Sequence, residues 1–180
     1  MKKTISIIVF VFVIANLLNG EEKMTSYKDA PSFKLYDVQG NLVILDSLVK
    51  KGPVIMSFWA LWCKMCIKEL DALKPYYPEI ESLGCSFLAI SQDKAKSKNE
   101  VKSFAAGHKW QYQIVLDPDN ILRKSYNVQV MPTFFIVSQD KKIVFVHQGY
   151  KPGDEKKIIQ TIRELTKKCD ECQECEKHQK

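Results

Sequence analysis

Six cysteines occur in the 180 residues, and five of them lie three positions from another cysteine. Cys63 and Cys66 stand in the segment Trp59-Ala60-Leu61-Trp62-Cys63-Lys64-Met65-Cys66, after a compact apolar run and at the head of a helical pattern. At a helix N-terminus the unpaired backbone N–H groups and the positive end of the macrodipole favour a thiolate, and Lys64 adds a nearby cation. A thiolate is the nucleophile of disulfide exchange, and a second thiol one turn further along can resolve the resulting mixed disulfide. The plainer alternatives are a static disulfide or half of a zinc site. Zinc needs a second ligand pair at workable spacing, and the only one is in the tail, a whole domain away. Redox exchange through Cys63 and Cys66 is therefore expected. Glu69, three residues beyond Cys66, has the spacing at which a carboxylate could take the resolving thiol's proton. On spacing alone, a glutamate that merely complements the helix dipole is the simpler account.

A second group, Cys169, Cys172, Cys175 and His178, recurs every three residues near the C-terminus. Three thiolates and an imidazole suit a soft or borderline metal such as zinc or copper(I). In an unbroken helix each step of three residues falls about 60° short of a turn, so the four could not meet one ion; the metal site needs a less regular tail. A secondary dithiol exchanging with Cys63 and Cys66 is a further use of these thiols. An oxidising compartment competes with metal for thiols, so a disordered tail or local disulfides take precedence.

The surrounding pattern shows what must hold Cys63 in place. Residues 33–36 and 41–45 read as short strands around Gln39-Gly40, and 53–58 as a buried strand. A helix is predicted from Cys63, its apolar face formed by Cys66, Ile67, Leu70, Leu73 and Tyr77 until Pro75 and Pro78 bend or end it. Residues 85–90 give the next strand. Ser97 with Glu100 forms a capping-box pattern, and Asp117-Pro118 an N-cap followed by proline, so both mark helix starts. Residues 133–137 and 143–147 pair as strands, and Ile158, Ile159, Ile162 and Leu165 form the stripe of a closing helix. This alternation implies a layered α/β domain with helices on both faces of one sheet. Cys85 reads as a small buried hydrophobe, and His108 and His147 as histidines at the edge of the core.

With 46% hydrophobic and 27% charged residues the chain suits one globular domain and not a disordered segment. The net charge of +6 comes without any basic run interleaved with aromatics, so no nucleic-acid partner is expected. Residues 1–20 carry Lys2 and Lys3 ahead of an apolar stretch from Ile5 to Leu18, and then give way to Glu21-Glu22-Lys23. This is an export-signal pattern, shorter than the roughly 20 apolar residues of a spanning helix, so a cleaved signal peptide is expected over an uncleaved anchor. The chain divides into this leader (1–20), a folded domain (30–166) and a polar cysteine-rich tail (167–180). Its expected place is extracytoplasmic, in the periplasm or on the outer face of the cytoplasmic membrane, where disulfides persist.

From about Ala30 to Leu165 the chain resembles the thioredoxin superfamily, and within it the exported thiol-disulfide oxidoreductases of the TlpA and ResA type. The resemblance rests on Phe58-Trp59-Ala60, Trp62-Cys63, Cys66 and Glu69, which follow the pattern FWAxWCxxC with its glutamate. It rests also on Tyr126, Val128, Pro132, Thr133 and Phe135, which follow YxVxGxPTxF. It implies a thioredoxin-like fold, a central mixed β-sheet flanked by helices on both faces, with a cofactor-free dithiol/disulfide cycle at Cys63 and Cys66. It implies further that Glu69 accepts the Cys66 proton and that Met131-Pro132 is a cis peptide bond beside the cysteines. Because proline lacks an N–H, the backbone at Met131 is then open to a substrate strand, with Trp62 bordering the reactive cysteine. The implied partners are disulfide-containing exported proteins, with a membrane thiol reductase as electron donor, and reduction is the implied direction. Met65, Asp71 and Val130 stand where the family usually has proline, proline and glycine, and Ser57 where cytoplasmic thioredoxins have a buried aspartate. Two alternative functions are weighed against this. A thiol peroxidase would carry Thr or Ser at the place of Ala60, and a thioredoxin-fold copper-delivery protein would add a downstream histidine to differently spaced cysteines.

Overall fold

The computed structural model describes residues 28–177. Seven strands form one mixed sheet: β1 (Lys34–Asp37), β2 (Leu42–Ile44), β3 (Val54–Trp59), β4 (Ser86–Ser91), β5 (Gln113–Leu116), β6 (Thr133–Val137) and β7 (Ile143–Gln148). Their order is β2-β1-β5-β4-β3-β6-β7, with β3, β4 and β5 parallel and the other neighbours antiparallel. The helices are α1 (Leu45–Leu48), α2 (Lys64–Leu73), α3 (Tyr77–Ser82), α4 (Lys98–Gly107), α5 (Ile121–Ser125) and α6 (Asp154–Lys177).

All six side chains of β3 are buried, because the strand lies inside the sheet and both its faces are covered. Val54, Met56 and Phe58 join the core beneath α1 and α5, where Leu45 and Leu122 meet them. Ile55 and Trp59 point the other way, into the core with Cys66, Leu70 and Leu73 of α2, Val101 of α4, and Ile158, Ile159 and Ile162 of α6. Each fully buried large apolar side chain contributes about 1.5–3 kcal/mol, so the strand that leads into Cys63 is firmly anchored.

Several boundaries differ from expectation. β1, β3 and β4 each begin and end one residue later. The second strand is shorter, because Leu45 is fully buried as the first residue of α1. β5 was not anticipated; its four residues gain strand geometry by pairing with β4 and β1. Ser97 is the N-cap of α4 but makes no side-chain cap bond. Asp117 caps from further off than expected: α5 starts at Ile121, and the Asp117 carboxylate accepts the N–H groups of Leu122 and Arg123 at 3.1 and 2.9 Å. Pro75 and Pro78 each open a new helical segment, the 3-10 turn Lys74–Tyr76 and α3, at positions where a missing N–H breaks no bond. α6 continues to Lys177, so the backbone is helical at Cys169, Cys172 and Cys175, whereas the expected metal grouping required a less regular tail. His178 and the leader, residues 1–20, lie outside the described residues. Among the described residues no helix is long and apolar enough to cross a membrane.

Candidate active site

The turn from β3 into α2 is tied down on the side of β4. Cys63 N–H donates to Ala60 O at 2.9 Å, and Gln92 N–H to Trp59 O at 2.9 Å. Leu61 N–H donates to the Asp93 carboxylate at 3.0 Å, which also accepts the Ser91 hydroxyl at 3.0 Å. Cys63 is thereby set as the N-cap of α2, its Sγ accepting the Cys66 N–H at 3.3 Å. The two cysteines form a disulfide with their Cα atoms 5.3 Å apart. Cys63 is 7% exposed and Cys66 is 0% exposed, so solvent and the helix N-terminus both favour the first sulfur. Trp62 stands beside it, 69% exposed.

Glu69 lies one turn beyond Cys66 on the buried face of α2, fully enclosed. Strand alternation turns Ser57 to the same side as Ile55 and Trp59, and its hydroxyl donates to Glu69 Oε2 at 2.6 Å. Glu69 Oε1 is buried without a hydrogen-bond partner. Burial pushes the Glu69 carboxyl up to about 8; the Ser57 hydrogen bond pulls it down and the negative Asp154 adds to the rise. A carboxyl raised in this way from its ordinary range exchanges a proton with a thiol more readily than an ordinary carboxylate does.

The Met131-Pro132 peptide bond is cis and immediately precedes β6. Thr133 pairs with Phe58, which sets the bond beside the end of β3; Gly149 N–H donates to Pro132 O at 2.8 Å. Met65, Met131, Pro132, His147, Tyr150 and Asp154 are among the residues that line a cleft of about 420 Å³. The structure thus brings Met131 and Pro132 together with the turn between the cysteines, while Trp62 stands outside the cleft lining. Both histidines are half-buried at the core edge as expected, and each meets a carboxylate: His147 Nε2 lies 3.1 Å from Asp154 and His108 Nδ1 2.9 Å from Asp71. Among the described residues no three His, Cys, Asp or Glu side chains are grouped to hold a metal ion.

Residues 27–146 match the AhpC/TSA family. The chain belongs to this family. It is 32% identical over 135 residues to thiol-disulfide oxidoreductase ResA of Bacillus thuringiensis subsp. konkukian, covering 75% of this chain and 76% of that one. A thioredoxin-like protein of Porphyromonas gingivalis superposes with a TM-score of 0.65 at 33% identity, over 79% of this chain and 95% of that one. The peroxidoxin BcpB of Mycobacterium tuberculosis, at 21% identity and a TM-score of 0.67 over 79% and 98% of the two chains, shares the fold alone. With the disulfide-bonded Cys63 and Cys66 at the helix start, this member of the family is a thiol-disulfide oxidoreductase of thioredoxin-like fold, and thiol:disulfide interchange is its activity.

Three supporting residues escaped the sequence reading. Ser57 registers there only as a departure from a pattern, although a lone polar residue in an apolar strand, in phase with Ile55 and Trp59, signals a partner on the covering helix. Asp93 and Asp154 gave no local signal, because each acts across the fold, on the Leu61 N–H and on His147.

Proposed function

We propose that the chain is an exported enzyme that reduces disulfides of other exported proteins, with Cys63 attacking, Cys66 resolving and Glu69 taking the Cys66 proton. The observation that carries this reading is the fully buried Glu69 carboxyl one turn beyond the fully buried Cys66, with one oxygen bound by Ser57 and the other unpartnered. In the reduced enzyme the Cys63 thiolate attacks one sulfur of a client disulfide, whose other sulfur leaves as a thiolate, giving a mixed disulfide. Cys66 then passes its proton to Glu69 and attacks the Cys63 sulfur. The bond to the client breaks, the client's second thiolate leaves, and the Cys63–Cys66 disulfide forms. Two electrons have passed to the client, and a membrane thiol reductase restores the dithiol. An extended client segment lies along Met131 and Pro132 of the cleft, and the exposed Trp62, next to Cys63 in the chain, borders the reactive cysteine. The lysine-led apolar pattern of residues 1–20 supports export, with residues 30–166 as the working domain.

The test is a Cys66→Ser variant in cells beside insulin reduction by the purified protein. The variant should accumulate mixed disulfides on Cys63 with exported proteins, and wild type should reduce insulin with a dithiol donor. Absence of both adducts and insulin reduction would overturn the reading.

A further inference from the structure

The loop that ends in the cis bond lines two cavities. Met131 and Pro132 line the cleft of about 420 Å³. Val128 and Gln129, just ahead of them in the chain, line a second cavity of about 370 Å³ together with Asn120, Arg123 and Lys124. The redox cycle makes no use of this second cavity. Its lining holds two cations, two amide side chains and no carboxylate, whereas the cleft carries both signs in Lys151 and Asp154. Among the described residues Arg123 and Lys124 enter no ion pair, while Lys141, Lys142 and Arg163 each meet a carboxylate. Asp117 is buried and taken up by the N–H groups of Leu122 and Arg123, so it does not neutralise the cavity. The loop itself is fastened. Val128 N–H donates to Arg123 O at 2.9 Å, Arg123 Nε donates back to Val128 O at 3.1 Å, and the Thr133 hydroxyl donates to Val130 O at 2.6 Å. A guanidinium has five N–H donors, so four remain to Arg123 for a further acceptor.

We propose that the cavity lined by Arg123 and Lys124 is a client subsite that receives an acidic side chain two or three residues from the cysteine under attack; this rests on the reading that the client lies along Met131 and Pro132. An extended chain advances about 3.3 Å per residue, so a client segment paired with Met131 comes level with Gln129 and Val128 two or three residues further on. The client carboxylate there meets the Lys124 ammonium and the remaining donors of Arg123, whose planar fork matches a carboxylate. Because the Arg123 guanidinium is already held on Val128 O, little of its freedom is lost when the client binds. A simpler account is that Arg123 and Lys124 only complement the C-terminal end of α5, where cations are favoured. That account gives no preference among clients, and the two therefore part on substrate choice.

The test uses the full-length protein and short disulfide-linked peptide dimers, capped at both ends so that a glutamate side chain is the only carboxylate of each strand. Glu or Gln is placed two or three positions before or after the cysteine. At one of these placements the reduced enzyme should attack the Glu peptide about threefold faster than the Gln peptide at low ionic strength, as surface ion pairs allow, and added salt should bring the ratio toward one. Lys124→Arg should keep the preference, and Lys124→Glu should bring the ratio to one or below. Lys102→Glu makes the same change of net charge on α4, across the sheet from α5, and should keep the preference. A ratio of one at every placement in wild type, a preference that survives Lys124→Glu, or an equal loss in Lys102→Glu would overturn the inference. Mixed disulfides of these peptides with the Cys66→Ser variant separate this failure from that of the client path. If the Met131 amide resonance stays where it lies with a small thiol on Cys63, the path along Met131 fails and the subsite falls with it. If that resonance moves while the Glu and Gln peptides react alike, the subsite alone fails.

Discussion

Two sulfurs one turn apart are inequivalent here because one caps a helix and the other lies inside it. Cys63 sits on the unpaired N–H groups of α2 and is the more exposed, so in reduced protein iodoacetamide at neutral pH should modify Cys63 before Cys66. Peptide mapping of partly alkylated protein checks the order, and faster labelling of Cys66 would reverse the assigned roles. Glu69 carries a second consequence, for stability. Its carboxyl is pushed from an ordinary 4.5 up to about 8 by burial, so between those values the folded state holds a proton that the unfolded chain has released. The contribution is fully present below the unfolded value and is lost as pH rises through about 8. At about 1.4 kcal/mol per pH unit the loss approaches about 5 kcal/mol. Urea unfolding of the oxidised protein at pH 5, 7 and 9 should show this decline, and Glu69→Gln should flatten it. An equal slope in the variant would show that the carboxyl is ionised in the folded state. Cys63, Cys66 and Pro132 were legible as residues because their motif is local. The bond from Ser57 to Glu69 was not, since it joins positions twelve residues apart that meet only when α2 covers β3.

At the scale of elements, α2 is fastened at both ends. Its N-terminal turn is held through Leu61 and Asp93. Towards its C-terminal end Asp71, standing where the resemblance leads one to expect proline, accepts the Trp110 indole N–H at 2.8 Å and meets His108 at 2.9 Å. Lys74 donates to His108 O at 3.1 Å, and Trp110 packs edge-on against Trp59 with centroids 4.9 Å apart. A side-chain clamp therefore ties the cysteine-bearing helix to the end of α4 and to Trp59. Asp71→Ala would leave the buried Trp110 N–H without its partner, which costs about 1–3 kcal/mol. Asp71→Asn, which keeps an acceptor, should lose less. Urea midpoints of the two variants decide the matter; a loss under about 0.5 kcal/mol for Asp71→Ala would show that the clamp is slack. β3, α2 and β6 were readable because apolar runs and a helical stripe mark them. α1 and β5 were not, because four residues are too few to set a period and their conformation comes from pairing and burial.

For the whole molecule, the class of fold was legible in the succession of strands and helices and in two motifs in the right order, but the sheet order was not. It depends on β5 filling the place between β1 and β4, a non-local pairing that carries no sequence mark. The C-terminal boundary differs for a different reason. Composition turns polar near Lys167, yet no glycine or proline interrupts the chain from Asp154 to Lys177, and polar residues alone do not end a helix. The apolar stripe of α6, Ile158, Ile159, Ile162 and Leu165, is complete before that point. Deleting the residues after Lys168 should therefore leave insulin reduction at the wild-type rate and change stability by less than about 1 kcal/mol. The regular backbone through Cys169, Cys172 and Cys175 gives a further expectation. A step of three residues keeps rotating around a helix, so these positions do not converge on one ion. Reduced full-length and truncated proteins should then hold equal zinc after dialysis. One zinc per chain lost on truncation would mean that the tail leaves the helix to gather its thiols around the metal.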